Sequence, residues 1–262
     1  MQLYFIRHGQ SANNALWDKT GSSSGRSHDP TLTEIGRRQA HLLGAFLRDA
    51  GTGSAPDGQD LQNAAGFGLT HLYTSLMVRA VETGTIVTQA LQIPLVAWVD
   101  LHEGGGIYLD DEESGERVGQ PGNPRSYFEQ NYPGLVLPDW LDESGWWNRP
   151  FESRTERRIR ACRVMDELLR RHGNSNDRVA LISHGGFYNH LMAVLLKPPE
   201  VDRPPSPQAV EALTGDNVIM TDEREVWFSM NNTAITRIDF VEEEVKLVYM
   251  NRLDFLPPEL VT

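Results

Sequence analysis

Cysteine is nearly missing from this 262-residue sequence, where Cys162 stands alone. No disulfide can form within the chain, and chemistry that needs a cysteine pair is excluded. The position of Cys162 inside a helical pattern predicts a packed thiol. Long apolar runs are missing as well. None approaches the roughly 20 residues of a membrane-spanning helix, and Met1 leads straight into a strand-like segment with no basic stretch and apolar signal core. A soluble, cytoplasmic protein is the expectation. Positive charge is scarce: 24 Lys and Arg face 36 Asp and Glu, for a net charge of -12. Non-specific binding to nucleic acid or to an anionic membrane depends on clustered cations that release counterions, so neither is expected as a partner. An anionic ligand therefore needs a local pocket of positive charge.

What is present is an ordinary globular composition, 39% hydrophobic and 23% charged, in a chain long enough for one large α/β domain. Leu3-Tyr4-Phe5-Ile6 reads as a buried strand ending at Arg7-His8-Gly9. Thr33 is placed to cap a helix running to about Arg48, with Ile35, Leu42, Leu43, Phe46 and Leu47 on one side and Gly51 as its stop. A loop to Gly68, a strand at Leu69–Thr74 and a helix capped by Ser75 follow, and Pro94 limits that helix. Leu95–Val99 is a further strand. Residues 104–152 carry many Gly, Pro, Asp and Glu together with Trp140, Trp146 and Trp147, which predicts a folded insertion or lid at the sheet edge. Ile159, Cys162, Met165, Leu168 and Leu169 recur at helical spacing over Arg154–His172. Val179–Ser183 reads as a strand that delivers His184-Gly185-Gly186 to an apolar helix, and a proline-containing connection runs from Lys197 to Asp222. Strands at Glu225–Ser229, Ala234–Phe240 and Val245–Met250 close the chain. Repeated β-then-α units imply a mainly parallel sheet, with a C-terminal hairpin adding an antiparallel strand.

In open α/β sheets ligands sit outside the carboxyl ends of the strands. Arg7-His8-Gly9 and His184-Gly185-Gly186 fall at two such ends, Arg79 just beyond a third and Glu103 just beyond a fourth. The combination suits phosphoryl transfer. Neutral imidazole is a good nucleophile near pH 7 and its phosphoramidate is labile. Guanidinium groups match phosphate oxygens in bidentate fashion and keep their charge, and a carboxyl group can protonate a leaving oxygen and then activate water. On this reading no metal and no organic cofactor is called for. Asp100, Asp110 and Asp111 stand near Glu103 as alternative acids.

The segment Arg7-His8-Gly9-Gln10-Ser11-Ala12-Asn13-Asn14, then Leu32-Thr33 with Gly36 and Gln39-Ala40, then Ser75, Arg79-Ala80 and Thr83, then Leu101-His102-Glu103, and finally Ser183-His184-Gly185-Gly186 resemble, in order, the motifs of the histidine phosphatase superfamily, also called phosphoglycerate mutase-like. The resemblance implies a three-layer α/β sandwich with a mainly parallel central sheet flanked by helices, interrupted by an insertion after the fourth strand. It implies that His8 is the phosphorylated nucleophile, that Arg7, Arg79 and His184 complete the phosphate pocket, that Asn14 and the Gly185 amide support it, and that Glu103 is the proton donor. Asn232 and Thr233 resemble a late polar motif that buttresses the pocket in relatives, and a strand-entry turn explains them equally well.

Family resemblance leaves the acceptor open. Mutases of this family carry a Glu-Arg-x-Tyr-Gly type segment after the acid, whereas Glu103 is followed by Gly104-Gly105-Gly106. The expectation is therefore a phosphomonoester hydrolase acting on a small-molecule ester, with mutase-type phosphotransfer as runner-up and a non-catalytic phosphate-binding module third. Tyr108, Tyr127, Tyr132 and the insertion's tryptophans are placed either to line a substrate cleft or simply to pack the insertion onto the core. A homo-oligomer is left open.

Overall fold

The computed structural model describes residues 1–50, 60–196, 220–221, 224–225 and 227–262. Leu3-Tyr4-Phe5-Ile6 lies within β1 (Gln2–Arg7), and its side chains alternate between two apolar cores. Leu3 and Phe5 enter one, Tyr4 and Ile6 the other. A strand covered on both faces needs apolar residues at every position, which is why this run does not alternate with polar ones.

In chain order β1 is followed by α1 (Ala12–Thr20), α2 (Glu34–Asp49), β2 (His71–Thr74), α3 (Val78–Leu91) and β3 (Leu95–Ala97). An excursion then carries β4 (Tyr108–Asp110), β5 (Arg117–Gly119), α4 (Arg125–Asn131) and β6 (Leu135–Val136). The chain continues through α5 (Arg154–His172), β7 (Arg178–Ser183), α6 (Gly185–Leu196), the short pair β8 (Met220–Thr221) and β9 (Arg224–Glu225), β10 (Ile235–Val241) and β11 (Glu244–Arg252).

Among the described residues the main sheet has seven strands in the order β11-β10-β1-β7-β2-β3-β6. Pairing is parallel from β1 to β6, and antiparallel where β10 joins β1 and β11 joins β10. Leu43 and Leu47 of α2 pack with Ala80, Val81 and Val87 of α3 on one face. Ala161, Val164, Met165 and Leu168 of α5 pack with Phe187 and Leu191 of α6 on the other. The result is a three-layer α/β sandwich with a mostly parallel central sheet. Among the described residues no helix is long and apolar enough to cross a membrane.

Several local expectations change. β3 stops at Ala97 and a 3-10 turn, Val99–Leu101, replaces the rest of the expected strand. In chain order the insertion leaves the third strand, not the fourth, and it lengthens the sheet by pairing β6 with β3. The buried stripe of α5 runs through Ala161, Val164, Met165 and Leu168, the i, i+3, i+4, i+7 positions that face the sheet, which leaves Ile159, Leu169 and Cys162 exposed. Cys162 is thus not a packed thiol. Ser75 does not cap α3, whose N-cap is Met77 without a side-chain bond. Residues 227 to Ser229 are not in a strand. Gly51, the first part of the loop after it and most of the connection from Lys197 lie outside the described residues.

Candidate active site

His8 leaves the end of β1 and is 3% exposed; Arg79 lies in the first turn of α3; His184 leaves the end of β7. Because β1, β7 and β2 are adjacent and parallel, their carboxyl ends bring these residues to one rim. The His8 and His184 rings lie 5.0 Å apart. Nδ1 of His8 donates to the carbonyl of Gly9 at 2.6 Å. A carbonyl can only accept, so the ring hydrogen is on Nδ1 and Nε2 carries a lone pair. Nε of Arg79 donates to that Nε2 at 3.1 Å. Burial, then the charges of Arg79 and Arg7, hold His8 well below the ordinary histidine pKa, so the ring is neutral at pH 7. Burial does the same to His184. Nε2 of His184 lies 2.7 Å from the Ser75 hydroxyl, while its Nδ1 is buried without a partner among the described residues. Arg7 bonds the Met230 carbonyl through one terminal nitrogen and keeps a buried Nε that has no partner among the described residues.

A cavity of about 240 Å³ opens on this rim, and Arg7, His8, Asn14, Arg79 and Glu103 line it. The Asn14 side-chain oxygen accepts from the amide of Ser11 at 3.1 Å, as part of the box that caps α1. Nδ2 of Asn232 donates to the His8 carbonyl at 2.9 Å and to Asn14 Oδ1 at 3.4 Å. The Thr233 amide donates to the Arg7 carbonyl at 3.0 Å from a backbone with φ of 61°. The late polar pair therefore buttresses the strand end that presents His8.

Glu103 is seated at the N-terminus of α6. Its Oε1 accepts from the amides of Phe187 at 2.8 Å and Gly104 at 2.7 Å, and its Oε2 from the amide of Gly186 at 3.0 Å. A helix N-terminus presents backbone N–H donors with no partner inside the helix, and here this side chain accepts from them. Gly186 is required by the close approach, since a Cβ there would stand 2.5 Å from Glu103 Oε1. Gly185 is the helix residue left facing Arg7, whose Nε lies 3.6 Å from where its Cβ would stand. Asp100, Asp110 and Asp111 do not line the cavity: Asp100 accepts from Arg163, Asp110 pairs with Arg117, and Asp111 bonds Ser114.

A sequence model of the histidine phosphatase superfamily, branch 1, matches residues 3–55 and 59–225. The chain belongs to this superfamily. Among curated proteins, a probable phosphoglycerate mutase of Yersinia pestis (strain Pestoides F) is 26% identical over 196 residues, covering 75% of each chain. A solved mycobacterial glucosyl-3-phosphoglycerate phosphatase with inorganic phosphate shares the fold, with a TM-score of 0.53, 18% identity, and 98% and 99% of the two chains covered. So does a putative alpha-ribazole-5'-P phosphatase from Escherichia coli, with a TM-score of 0.55, 18% identity and 96% of each chain covered.

Three features of this superfamily member escape sequence reasoning. Arg160, in the middle of α5, is 1% exposed and forms two 2.7 Å bonds to Glu152. It also donates to the carbonyls of Asp100 and His102 at 2.6 and 2.9 Å, clamping the turn that carries Glu103. Asp29 accepts from the Val78 amide at 3.0 Å and from Asn123 at 3.2 Å, and stands 3.9 Å from Arg79. Burial raises its pKa to about 7 against the pull of Arg79. Trp17, Ser22, Ser23 and Arg26 line the mouth of the cavity. A charged residue in a helix reads as solvated surface until its partner, distant in sequence, is known. The insertion's aromatics do not line this cavity: Trp146 and Trp147 pack with His102 in the core, and Trp140 is exposed.

Proposed function

We propose that this protein hydrolyses phosphate monoesters of small molecules in two steps, through a phosphohistidine on His8. The observation that carries the reading is the fixed tautomer of His8, whose unprotonated Nε2 faces the cavity's guanidinium pair. In the first step Nε2 attacks phosphorus, the ester P–O bond breaks, and the leaving oxygen takes a proton from Glu103. The incoming phosphoryl group takes over the Arg79 N–H that His8 holds in the free protein. In the second step Glu103 receives a proton from water, the water oxygen attacks phosphorus and the P–N bond breaks, releasing inorganic phosphate. Arg7 and Arg79 neutralise the equatorial oxygens, the part a divalent cation plays in other phosphotransferases. With Ser75 donating to Nε2 of His184, the hydrogen of that ring sits on Nδ1, which meets no acceptor among the described residues.

Transfer to a second oxygen of the substrate is the alternative, in keeping with the name of the Yersinia relative. Both are tested by phosphate release from an ester panel, in EDTA, for wild type and His8→Ala, with phosphoglycerate isomerisation followed in parallel. The expected outcome is EDTA-resistant release that disappears with His8. Isomerisation without release makes the protein a mutase, and metal-dependent release overturns the metal-free mechanism.

A further inference from the structure

The cavity has two ends of different character. Its buried end holds His8, Arg7 and Arg79, and its mouth is formed by Trp17 of α1, which is 58% exposed, and by the segment between α1 and α2, where Ser22 and Ser23 lie in solvent. A phosphoryl group fills only part of the 240 Å³. The remaining wall holds a third cation, Arg26, in a chain whose net charge is -12.

Arg26 is held in a particular way. Its guanidinium carbon lies 4.2 Å from the ring centroid of Tyr108, on β4 of the insertion. Tyr108 is itself packed edge-on against Phe151 at 4.7 Å. Stacking uses the flat face of the guanidinium and leaves its N–H edge free. Among the described residues that edge meets no acceptor, in contrast to Arg117, Arg125 and Arg157, which pair with Asp110, Glu129 and the Glu152 carbonyl. Among the described residues the only carboxylate lining the same cavity is Glu103, already engaged by three backbone amides. A half-buried, pre-oriented cation with open donors in a cavity that already has two arginines is arranged for an anion beyond the first one.

We propose that Arg26 is a specificity-determining residue that binds a second anionic group of the substrate, so that the preferred substrates are phosphate monoesters carrying a further carboxylate or phosphate. This rests on the phosphatase reading above and assigns the insertion a part in it, since Tyr108 fixes the guanidinium. A neutral leaving group leaves Arg26 without a partner; an anionic one gains a charge-assisted bond.

The test compares glycerol phosphate, phosphoglycerate and a propanediol bisphosphate as substrates for wild type, Arg26→Gln, Arg26→Lys and Tyr108→Leu. Wild type is expected to favour the two esters with a second anion. Arg26→Gln should lower kcat/KM for those esters about 10- to 100-fold, mainly through KM, and for glycerol phosphate by less than about threefold. Arg26→Lys should keep part of the preference, and Tyr108→Leu should lose a smaller part of it. The anion-bearing ester that suffers more from Arg26→Gln identifies the second group as carboxylate or phosphate. An equal loss on all three esters, or no loss on any, overturns the proposal. If no ester is hydrolysed in a His8-dependent way, the phosphatase reading fails separately. Calorimetric binding of the same three compounds to His8→Ala and to His8→Ala/Arg26→Gln then decides: discrimination that vanishes with Arg26 supports the second-anion site, and its absence removes it.

Discussion

The Ser75 hydroxyl lies 2.7 Å from Nε2 of His184, joining two residues 109 positions apart. Ser75 follows β2 and His184 follows β7, neighbouring parallel strands, so the bond spans the rim of the site. The same hydroxyl accepts weakly from the Met77 amide at 3.4 Å, which leaves its hydrogen for the imidazole. Ser75→Ala releases the ring without opening a large cavity. The expected result is a fall in kcat of about tenfold with a stability loss near 1 kcal/mol, measured by steady-state kinetics and denaturant unfolding. Unchanged kcat shows that the Ser75 contact plays no part in turnover.

Glu103→Gln preserves the shape of the side chain and removes its proton chemistry. An alkyl ester needs a proton on its leaving oxygen, whereas a nitrophenolate leaves without one. The variant should lose about 100-fold in kcat on the former and much less on the latter. Equal losses on both assign Glu103 to holding α6 in place instead of to proton transfer.

The two glycines after His184 should differ in what they tolerate. A Cβ on Gly186 collides with the Glu103 carboxylate at 2.5 Å, while one on Gly185 meets only Arg7 side-chain atoms at 3.6 Å and beyond. Gly186→Ala should cost about 1–3 kcal/mol by overpacking and displace the acid, and Gly185→Ala should have the smaller effect on both unfolding midpoint and turnover. The reverse order contradicts the placement of Glu103.

Asp29 links stability to pH. Burial raises its pKa from 3.8 to about 7. Between those values the folded chain holds a proton that the unfolded chain has released, so this contribution to stability is largest at low pH and is lost as pH rises toward 7, flattening above it. His8 and His184, whose pKa values are lowered, work in the opposite sense below the ordinary histidine pKa. Urea midpoints for wild type and Asp29→Asn from pH 5 to 8 cancel the histidine contribution in their difference. Wild type should lose ground relative to the variant as pH rises, and a constant difference shows that Asp29 is ionised throughout.

Much of this protein is legible in its sequence because the relevant signals are local. The unbroken run Leu3–Ile6 reports a strand buried on both faces, Thr33 caps α2 through the Gly36 amide, and Ser153 with Glu156 boxes the start of α5. The histidine triplets are local too, because a residue that follows a parallel strand is delivered to the same edge as every other such residue. Asn232 was legible as part of a motif, although only its bond to the His8 carbonyl shows what it holds.

What resisted is what depends on partners far along the chain. The face of α5 is legible only in part: apolar spacing marks Met165 and Leu168, but it also allows a neighbouring stripe through Ile159, Cys162 and Leu169, and only contact with the sheet selects Ala161 and Val164 in their place. Arg160 gave no sign of burial because Glu152 and the Asp100 and His102 carbonyls reach it only in the folded chain. The sequence by itself therefore determined the architecture and the chemical inventory of the rim, since strand direction and residue type are written locally. Tertiary structure alone decided that Nε2 of His8 meets Arg79, where Glu103 rests, and that Arg26 stands over Tyr108, because hydrogen bonds and stacking between distant segments exist only once the sheet has ordered its strands.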